Sequence, residues 1–111
     1  MPREYSACLE DILEAIEKVE QYTKGVSQEG FVADSQKVDA VVRNLEVIGE
    51  AAKQVPEAVR LQHPQAEWKK ISALRDILIH RYFGIDLDIV WDIVQNKLPT
   101  LKARVRDMLG R

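Results

Sequence analysis

Cysteine is almost absent from this 111-residue chain, and its scarcity limits the compartments and the bonds that fit the protein. The single cysteine, Cys8, excludes a disulfide within one copy of the chain and indicates a reducing compartment. No run of apolar residues approaches the roughly 18 to 20 needed to cross a bilayer. The N-terminal residues carry charges where a signal peptide has its apolar region. We therefore expect a soluble cytoplasmic domain with no membrane partner.

The residues that most often build metal and phosphate sites are also few and scattered. The chain has 2 histidines and 1 cysteine, and they form none of the usual zinc or di-iron spacings. The 5 glycines are dispersed, so no glycine-rich phosphate loop is present. A serine–histidine–aspartate arrangement stays open, although no nucleophile elbow supports one. We expect no metal ion and no cofactor.

Charge is plentiful but unevenly distributed along the chain. Residues 1–57 hold 6 Lys/Arg against 12 Asp/Glu, net −6, whereas residues 58–111 hold 10 against 6, net +4. The total of −2 does not indicate a tight, nonspecific nucleic-acid binder. The basic half could still attract phosphate locally, and the acidic half could meet a basic partner. An ordinary solvated surface explains the same distribution.

Apolar residues recur at helical spacing, and no β-type alternation of useful length is present. The first helix is predicted over residues 3–24 and ends at Gly25, because glycine commonly follows a helix C-terminus. Its apolar seam steps by four and three residues, which is typical of bundles: Tyr5, Leu9, Ile12, Ile16 and Val19. Residues 25–35 form a connector with about one helical turn around Phe31.

The second helix is predicted from a cap at Asp34 or Ser35 to about Val55. Its buried stripe consists of Val38, Val41, Val42, Leu45, Ile48 and Ala52. Four charged residues share another face of this helix: Arg43, Glu46, Glu50 and Lys53. They form either a solvated series of ion pairs or a surface for a second copy or a partner.

The second half of the chain predicts one short helix and two long ones. The short helix covers residues 56–62, and a long one runs from about Ala66 to Phe83 and ends at Gly84. Asp86 caps the last helix, whose apolar seam continues through Pro99 to Met108, so we expect a kink or tight break at the proline. The pattern predicts an all-α, four-helix up-and-down bundle with an extra short helix, formed by one domain over residues 1–111.

The stretch from Trp68 to Gly84 is apolar on almost every side, yet it contains Arg75 and His80. A helix of this kind is normally buried, and burying polar groups is costly unless they are paired or used. Arginine carries a permanent charge that fits phosphate oxygens, and histidine exchanges protons near neutral pH. These two residue types suffice for cleaving RNA without a metal ion, because a base takes the 2′-hydroxyl proton while arginine stabilises the phosphoryl charge. A core histidine satisfied by a hydrogen bond explains the same spacing.

Helical spacing limits how these residues can meet. Arg75 and Tyr82 are seven residues apart and lie about 20° apart around a helix, whereas His80 lies about 140° from Arg75. One regular helix therefore does not direct Arg75 and His80 at a single phosphate. Either the helix loosens before Gly84, or a second copy of the chain brings its own pair alongside in a symmetric dimer.

The motif resembles that of the HepT-like toxins in the HEPN superfamily. The segment RDILIHRY matches the family's R-x4-H-x-Y pattern, and Asp76 occupies its polar position. Three longer segments also look like this family, so the resemblance covers nearly the whole chain: VVRNLEVIGEAAKQVP, WKKISALRDILIHRY and IDLDIVWDIVQNKLPTL. Together they are much more specific than the motif alone.

The resemblance implies a HEPN-like all-α bundle that forms a homodimer, with Arg75 and His80 of both subunits lining one cleft. It implies a metal-independent endoribonuclease that acts on RNA and leaves a cyclic phosphate end. It also implies a toxin neutralised by a cognate MNT-type nucleotidyltransferase antitoxin, which transfers AMP from ATP to the motif tyrosine, Tyr82. Because Tyr82 and Arg75 share a helix face, a bound adenylyl group could occupy the arginine and block RNA.

Three cations flank the motif, and we expect them to contact RNA: Lys69, Lys70 and Arg81. Trp68 and Trp91 are predicted to be core or interface anchors, and His63 lies in a predicted surface turn with no catalytic role. The alternative function is a non-catalytic helical module that binds and regulates a nucleotidyltransferase. In that interpretation Tyr82 is the functional centre and His80 is structural.

Overall fold

A computed structural model describes the backbone of residues 5–80 and 86–111, and the side chains of residues 5–74 and 86–111. All regular structure within these ranges is helical, which confirms the predicted all-α fold. The helices are α1 Tyr5–Thr23, α2 Gln28–Ala33, α3 Ser35–Lys53, α4 Glu57–Gln62, α5 Trp68–His80, α6 Leu87–Asp92 and α7 Leu98–Met108. A 3-10 turn, Pro64–Ala66, precedes α5, and a π-helical turn, Ile93–Lys97, joins α6 to α7. No helix in the described ranges has both the length and the apolar character of a membrane span.

Helix α3 packs against α1 and α5, and α1 also packs against α7. An ion pair joins Lys102 of α7 to Glu20 of α1 at 2.8 Å, and Arg111 pairs with Glu10 near the other end of α1. These two contacts make α1 and α7 antiparallel. The long segments α1, α3, α5 and α6–α7 therefore form the predicted four-helix bundle, and α2 and α4 are short connecting helices.

The core side of α1 follows the predicted seam, with one error. The fully buried side chains include four seam residues: Leu9, Ile12, Ile16 and Val19. Tyr5 is 44% exposed, because it is the first residue of α1 and lies before the first buried position, Cys8. The predicted glycine cap is confirmed, since Gly25 follows α1 with a φ of +71°, a conformation that favours glycine.

The structure also confirms the predicted helical turn in the connector and the predicted cap of α3. Phe31, at the centre of the predicted helical turn, is fully buried in α2, and its ring centroid lies 5.3 Å from that of Trp91. Asp34 caps α3, because its Oδ1 accepts a hydrogen bond from the Lys37 backbone N–H at 3.1 Å. This bond satisfies one of the backbone donors left free in the first turn.

The predicted start of α5 at Ala66 is wrong by two residues. Pro64–Ala66 forms a 3-10 turn, and Glu67 then adopts a left-handed backbone with φ 53° and ψ 52°. A left-handed residue cannot continue a right-handed helix, so α5 begins at Trp68. The predicted helix end near Phe83 and the stop at Gly84 lie outside the described residues.

The break expected at Pro99 takes the form of a π-helical turn. Proline has no backbone N–H, so one carbonyl of the preceding turn loses its usual donor. The Leu98 N–H donates to the carbonyl of Ile93, five residues back, and α7 then begins with Pro99 in its first turn. The apolar seam continues across this turn into the core: Val94, Leu98, Leu101 and Val105 are buried.

The cap of α3 gives a first testable prediction. Asp34→Ala is expected to lower the free energy of unfolding by about 1 kcal/mol, because the Lys37 N–H loses its acceptor. Urea denaturation measures this change. Asp39→Ala is the control, since it removes the same charge from an exposed position inside α3 without removing a cap. Equal losses in both variants would show that charge, and not capping, is responsible.

Candidate active site

Helix α5 contains the backbone of Arg75, Asp76 and His80. The helix is α-helical from Trp68 to His80, so these three positions follow one regular register. Their side chains lie outside the described residues, as do Arg81 and Tyr82 altogether. The structure therefore positions the motif through the backbone of α5 and through the side chains that precede Arg75.

Three buried side chains, Trp68, Ile71 and Leu74, fix the side of α5 that packs into the bundle. They are spaced by three residues and form one stripe along the helix. Helix α5 packs against α3, which in turn packs against α1. The stripe thus sets the rotation of α5 about its own axis.

The register of α5 separates Arg75 from His80. At 100° per residue, Arg75 falls about 40° from Ile71, between the directions of Ile71 and Trp68 and so within the angular range of the packed stripe. His80 falls about 180° from Ile71, on the opposite side of the helix axis. The two positions are about 140° apart, as expected from their spacing, and the α-helix continues through both of them.

Lys69 and Lys70 are both exposed at the start of α5. Lys70 pairs with Glu67 at 3.5 Å, with side chains 77% and 54% exposed, so this pair contributes little to stability. Lys69 falls about 20° from His80 in the helical register, eleven residues earlier. An exposed cation therefore shares a side of α5 with the motif histidine position.

A tight corner anchors the first turn of α5. The buried Trp68 donates a hydrogen bond from its indole Nε1 to the backbone carbonyl of His63 at 2.9 Å. The prediction that Trp68 is a core anchor is confirmed, and Trp91 also packs in the bundle, half-buried against Phe31. His63 lies in the predicted turn and is half-buried, and its carbonyl group holds the corner together.

The same corner creates a groove that the sequence alone did not indicate. Arg60 and Leu61 of α4 line it together with Lys69 and Lys70 of α5. No spacing rule links residue 60 to residue 69, because their proximity depends on the 3-10 turn and the left-handed Glu67 between them. Within the described part of the chain, no three His, Cys, Asp or Glu side chains are grouped to hold a metal ion. The expectation of no metal and no cofactor stays a prediction.

A family described as "Ribonuclease HepT-like" matches residues 12–108, which include the described helices from α2 to α7 and all of α1 after its first seven residues. The chain belongs to the ribonuclease HepT-like family. This membership confirms the family resemblance found in the sequence. It also confirms the predicted class of enzyme, a ribonuclease.

Relatives of similar length agree with this membership in the HepT-like family. A protein of Thermococcus cleftensis named "Probable ribonuclease HepT" is 41% identical over 94% of both chains. A "Putative RNase" of Caldanaerobacter subterraneus subsp. tengcongensis is 42% identical over 99% of this chain and 96% of its own length. A "Putative RNase" of Methanocaldococcus jannaschii is 46% identical over 98% of this chain and 91% of its own length. No solved structure shows a significant match.

The Trp68 anchor gives a second prediction. Trp68→Phe is expected to lower the free energy of unfolding by about 1 kcal/mol more than Trp91→Phe. The reason is that, in the described structure, the Trp68 indole N–H donates a hydrogen bond to the His63 carbonyl, and phenylalanine cannot replace this donor. Chemical denaturation of both variants gives the difference. A larger loss in Trp91→Phe would mean that ring packing outweighs this hydrogen bond.

Proposed function

We propose that this HepT-like chain is a metal-independent endoribonuclease toxin with Arg75 and His80 as its catalytic residues. The observation that carries the proposal is the family match over residues 12–108, together with an intact R-x4-H-x-Y motif in the sequence, whose Arg75 and His80 positions lie on α5. Asp76 is the polar residue of the motif. Lys69, Lys70 and Arg81 supply positive charge that attracts the RNA backbone, and Lys69 and Lys70 are exposed as this role requires.

The proposed reaction breaks the bond between phosphorus and the 5′-oxygen of the next nucleotide. The 2′-oxygen attacks the adjacent phosphorus and loses its proton to a base, while the departing 5′-oxygen gains a proton from an acid. The products are a 2′,3′-cyclic phosphate and a 5′-hydroxyl. His80 serves as base or acid, and Arg75 stabilises the negative charge on the phosphoryl oxygens in the transition state.

The register of α5 supports a site built by two copies of the chain. Arg75 and His80 are about 140° apart on a helix that stays α-helical through His80, so a loosened helix does not bring them together before that residue. A symmetric pairing would place the same patch of each subunit against the other. We therefore propose a homodimer in which Arg75 and His80 of both subunits line one RNA cleft.

We further propose that a cognate nucleotidyltransferase antitoxin neutralises the toxin by transferring AMP from ATP to Tyr82. The Tyr82 oxygen attacks the α-phosphorus of ATP, and pyrophosphate leaves. The product carries a phosphate charge and an adenosine group beside the motif. Since Arg75 and Tyr82 are seven residues apart in the R-x4-H-x-Y motif, this charge would compete with RNA phosphate for the arginine.

The catalytic assignment predicts loss of RNA cleavage in two variants. In buffer containing EDTA, His80→Ala is expected to cut a labelled RNA roughly 10²- to 10⁴-fold more slowly than the wild type, because proton transfer is lost. Arg75→Ala is expected to cut the same RNA roughly 10²- to 10³-fold more slowly than the wild type, because the negative charge of the transition state is left unstabilised. Gel electrophoresis of the products measures the rates and shows the cyclic phosphate end.

Matched controls for this experiment are His63→Ala and Arg106→Ala, which remove the same residue types outside the motif. Both are expected to cleave RNA at the wild-type rate. Equal rates in all five proteins would remove the assigned roles. No cleavage by the wild type, with binding to the nucleotidyltransferase intact, would favour the non-catalytic module. In cells, the toxin role requires that the chain alone arrest growth and that His80→Ala relieve the arrest.

Modification of Tyr82 is a separate prediction. Incubation with the partner nucleotidyltransferase and radiolabelled ATP is expected to label the wild type and leave Tyr82→Phe unlabelled, because the acceptor oxygen is missing. Tyr5→Phe is the control, since Tyr5 is also a tyrosine and is 44% exposed. Its labelling should match that of the wild type. Equal labelling of Tyr82→Phe would refute the assignment.

A further inference from the structure

The groove between α4, the 3-10 turn and the start of α5 has a volume of about 660 Å³. This volume falls in the usual range of ligand sites, roughly 300 to 1,000 Å³. Its walls combine apolar surface from Leu61 and Trp68 with three cations, Arg60, Lys69 and Lys70. The groove is thus both apolar and cationic.

The cations of the groove are incompletely neutralised by the described residues. Glu67 pairs with Lys70 at 3.5 Å, and Glu57 is the other acidic residue in the lining. The structure records no ion pair for Lys69 within residues 5–74 and 86–111. The Nε of the half-buried Arg60 is buried and has no hydrogen-bond partner among the same residues. Arg60 therefore has a hydrogen-bond donor that no described residue satisfies, and Lys69 has a charge that none of them neutralises.

Leu61 is an unusually exposed apolar residue beside these charges. Its side chain is 73% exposed, the largest value among the exposed large apolar residues of the described structure. Trp68, by contrast, is only 6% exposed, so its indole forms part of the floor and offers no free ring face. Leu61 therefore presents the accessible apolar surface of the groove.

We propose that this groove binds a single-stranded segment of the RNA substrate next to the cleaved bond. In this assignment, which rests on the proposed ribonuclease function, Arg60 and Lys69 contact phosphate oxygens and Leu61 contacts a base. Single-stranded RNA offers both kinds of group, since its bases are free of pairing and its backbone is anionic. Contacts to the backbone and to an apolar base face are tolerant of sequence.

The position of the groove along α5 connects it to the motif. Lys69 and His80 are eleven residues apart, which corresponds to about 16.5 Å along the helix axis. They differ by only about 20° in rotation, so one side of α5 leads from the histidine position to the groove. A strand that runs along this side of α5 from the cleaved bond reaches Lys69 within a few nucleotides.

Charge complementarity favours a polyanion such as RNA over a second copy of the chain. A polyanion can meet the Arg60 and Lys69 charges at once and continue along α5 to the motif. In a symmetric dimer with the two grooves facing each other, Arg60, Lys69 and Lys70 of one copy would lie against the same cations of the other. Like-charge repulsion opposes this arrangement. We therefore assign RNA as the occupant.

The first test measures binding of a fully 2′-O-methylated RNA of about 12 nucleotides, which cannot undergo 2′-hydroxyl attack. By fluorescence anisotropy, Arg60→Gln and Leu61→Glu are each expected to raise the Kd roughly tenfold relative to the wild type. Arg60→Gln should also reduce the slope of log K against log salt by about 0.7, the value for one phosphate contact to a single strand. Leu61→Glu is expected to fold like the wild type, because Leu61 is 73% exposed. Weaker RNA binding by this variant therefore cannot be attributed to loss of the fold.

Arg106→Gln is the matched control. Arg106 is exposed on α7, one turn after Lys102, on the side where Lys102 pairs with Glu20 of α1. It does not line the groove. Its Kd and its salt slope should equal those of the wild type.

The second test uses substrate length. With a long RNA, Arg60→Gln and Leu61→Glu are expected to raise KM while leaving kcat unchanged, because the groove binds substrate away from the reacting atoms. With a dinucleotide that contains only the cleaved bond, both variants should match the wild type, since such a substrate cannot reach the groove. A structural defect would lower the rates on both substrates.

The outcomes separate the groove from the nuclease assignment. If the wild type binds the methylated RNA and the groove variants bind it more weakly, the groove proposal stands even where no RNA is cut. Equal binding by wild type and variants overturns it. A change in oligomeric mass by sedimentation, without a change in RNA affinity, also overturns it and assigns the groove to a subunit interface. Absence of RNA binding by the wild type overturns it as well.

Discussion

The fold depends on the two-sided packing of α3, which contacts α1 and α5. Its buried positions include large side chains up to Ile48 and small residues after it: Val41, Leu45, Ile48, Gly49, Ala51 and Ala52. Each large apolar side chain that is fully buried contributes about 1.5 to 3 kcal/mol. The small residues let neighbouring helices approach α3 closely. Helix α5 packs on α3, and this contact sets the rotation of the motif positions that follow Leu74 on the same helix.

The corner between α4 and α5 provides the second constraint on the site. The chain changes direction within a few residues at this corner. Glu67 has a left-handed backbone there, and Trp68 donates a hydrogen bond to the His63 carbonyl. A non-glycine residue in this conformation costs roughly 1 kcal/mol or more, which the burial of Trp68 offsets. The corner sets where α5 begins, and it also holds Arg60 and Leu61 beside Lys69. The corner thus determines both the first residue of α5 and the shape of the groove.

Local signals made most of the fold predictable from the sequence. The Gly25 stop, the Asp34 cap and the break at Pro99 each follow from the chemistry of one residue, and the structure contains all three. The predicted start of α5 was wrong because no residue in PQAEW requires a left-handed backbone. The left-handed conformation of Glu67 is explained only by the buried Trp68 and its hydrogen bond to His63. The predicted burial of Tyr5 was wrong because a heptad pattern does not indicate where the neighbouring helices end.

The candidate site was predictable only in part, and for a different reason. Arg75, His80 and Tyr82 are recognisable by their spacing within one segment, so a motif suffices to select them. Arg60 and Leu61 belong to another helix, and their place beside Lys69 depends on tertiary contacts that no local pattern encodes. The Nε of Arg60 can be identified as an unpaired buried donor only when its surroundings are known. Sequence therefore indicates the proposed reacting residues more readily than the residues proposed to hold substrate.

The proposed chemistry itself favours a paired site. Attack by the 2′-oxygen and departure of the 5′-oxygen occur on opposite sides of phosphorus, and each requires a proton transfer. One histidine position on one α-helix, about 140° from its arginine, cannot serve both sides together. Two copies related by a two-fold axis would supply two histidines and two arginines around one phosphate. A subunit pair of this kind would allow a chain with 2 histidines, one of them in a structural turn, to perform the proposed acid–base catalysis.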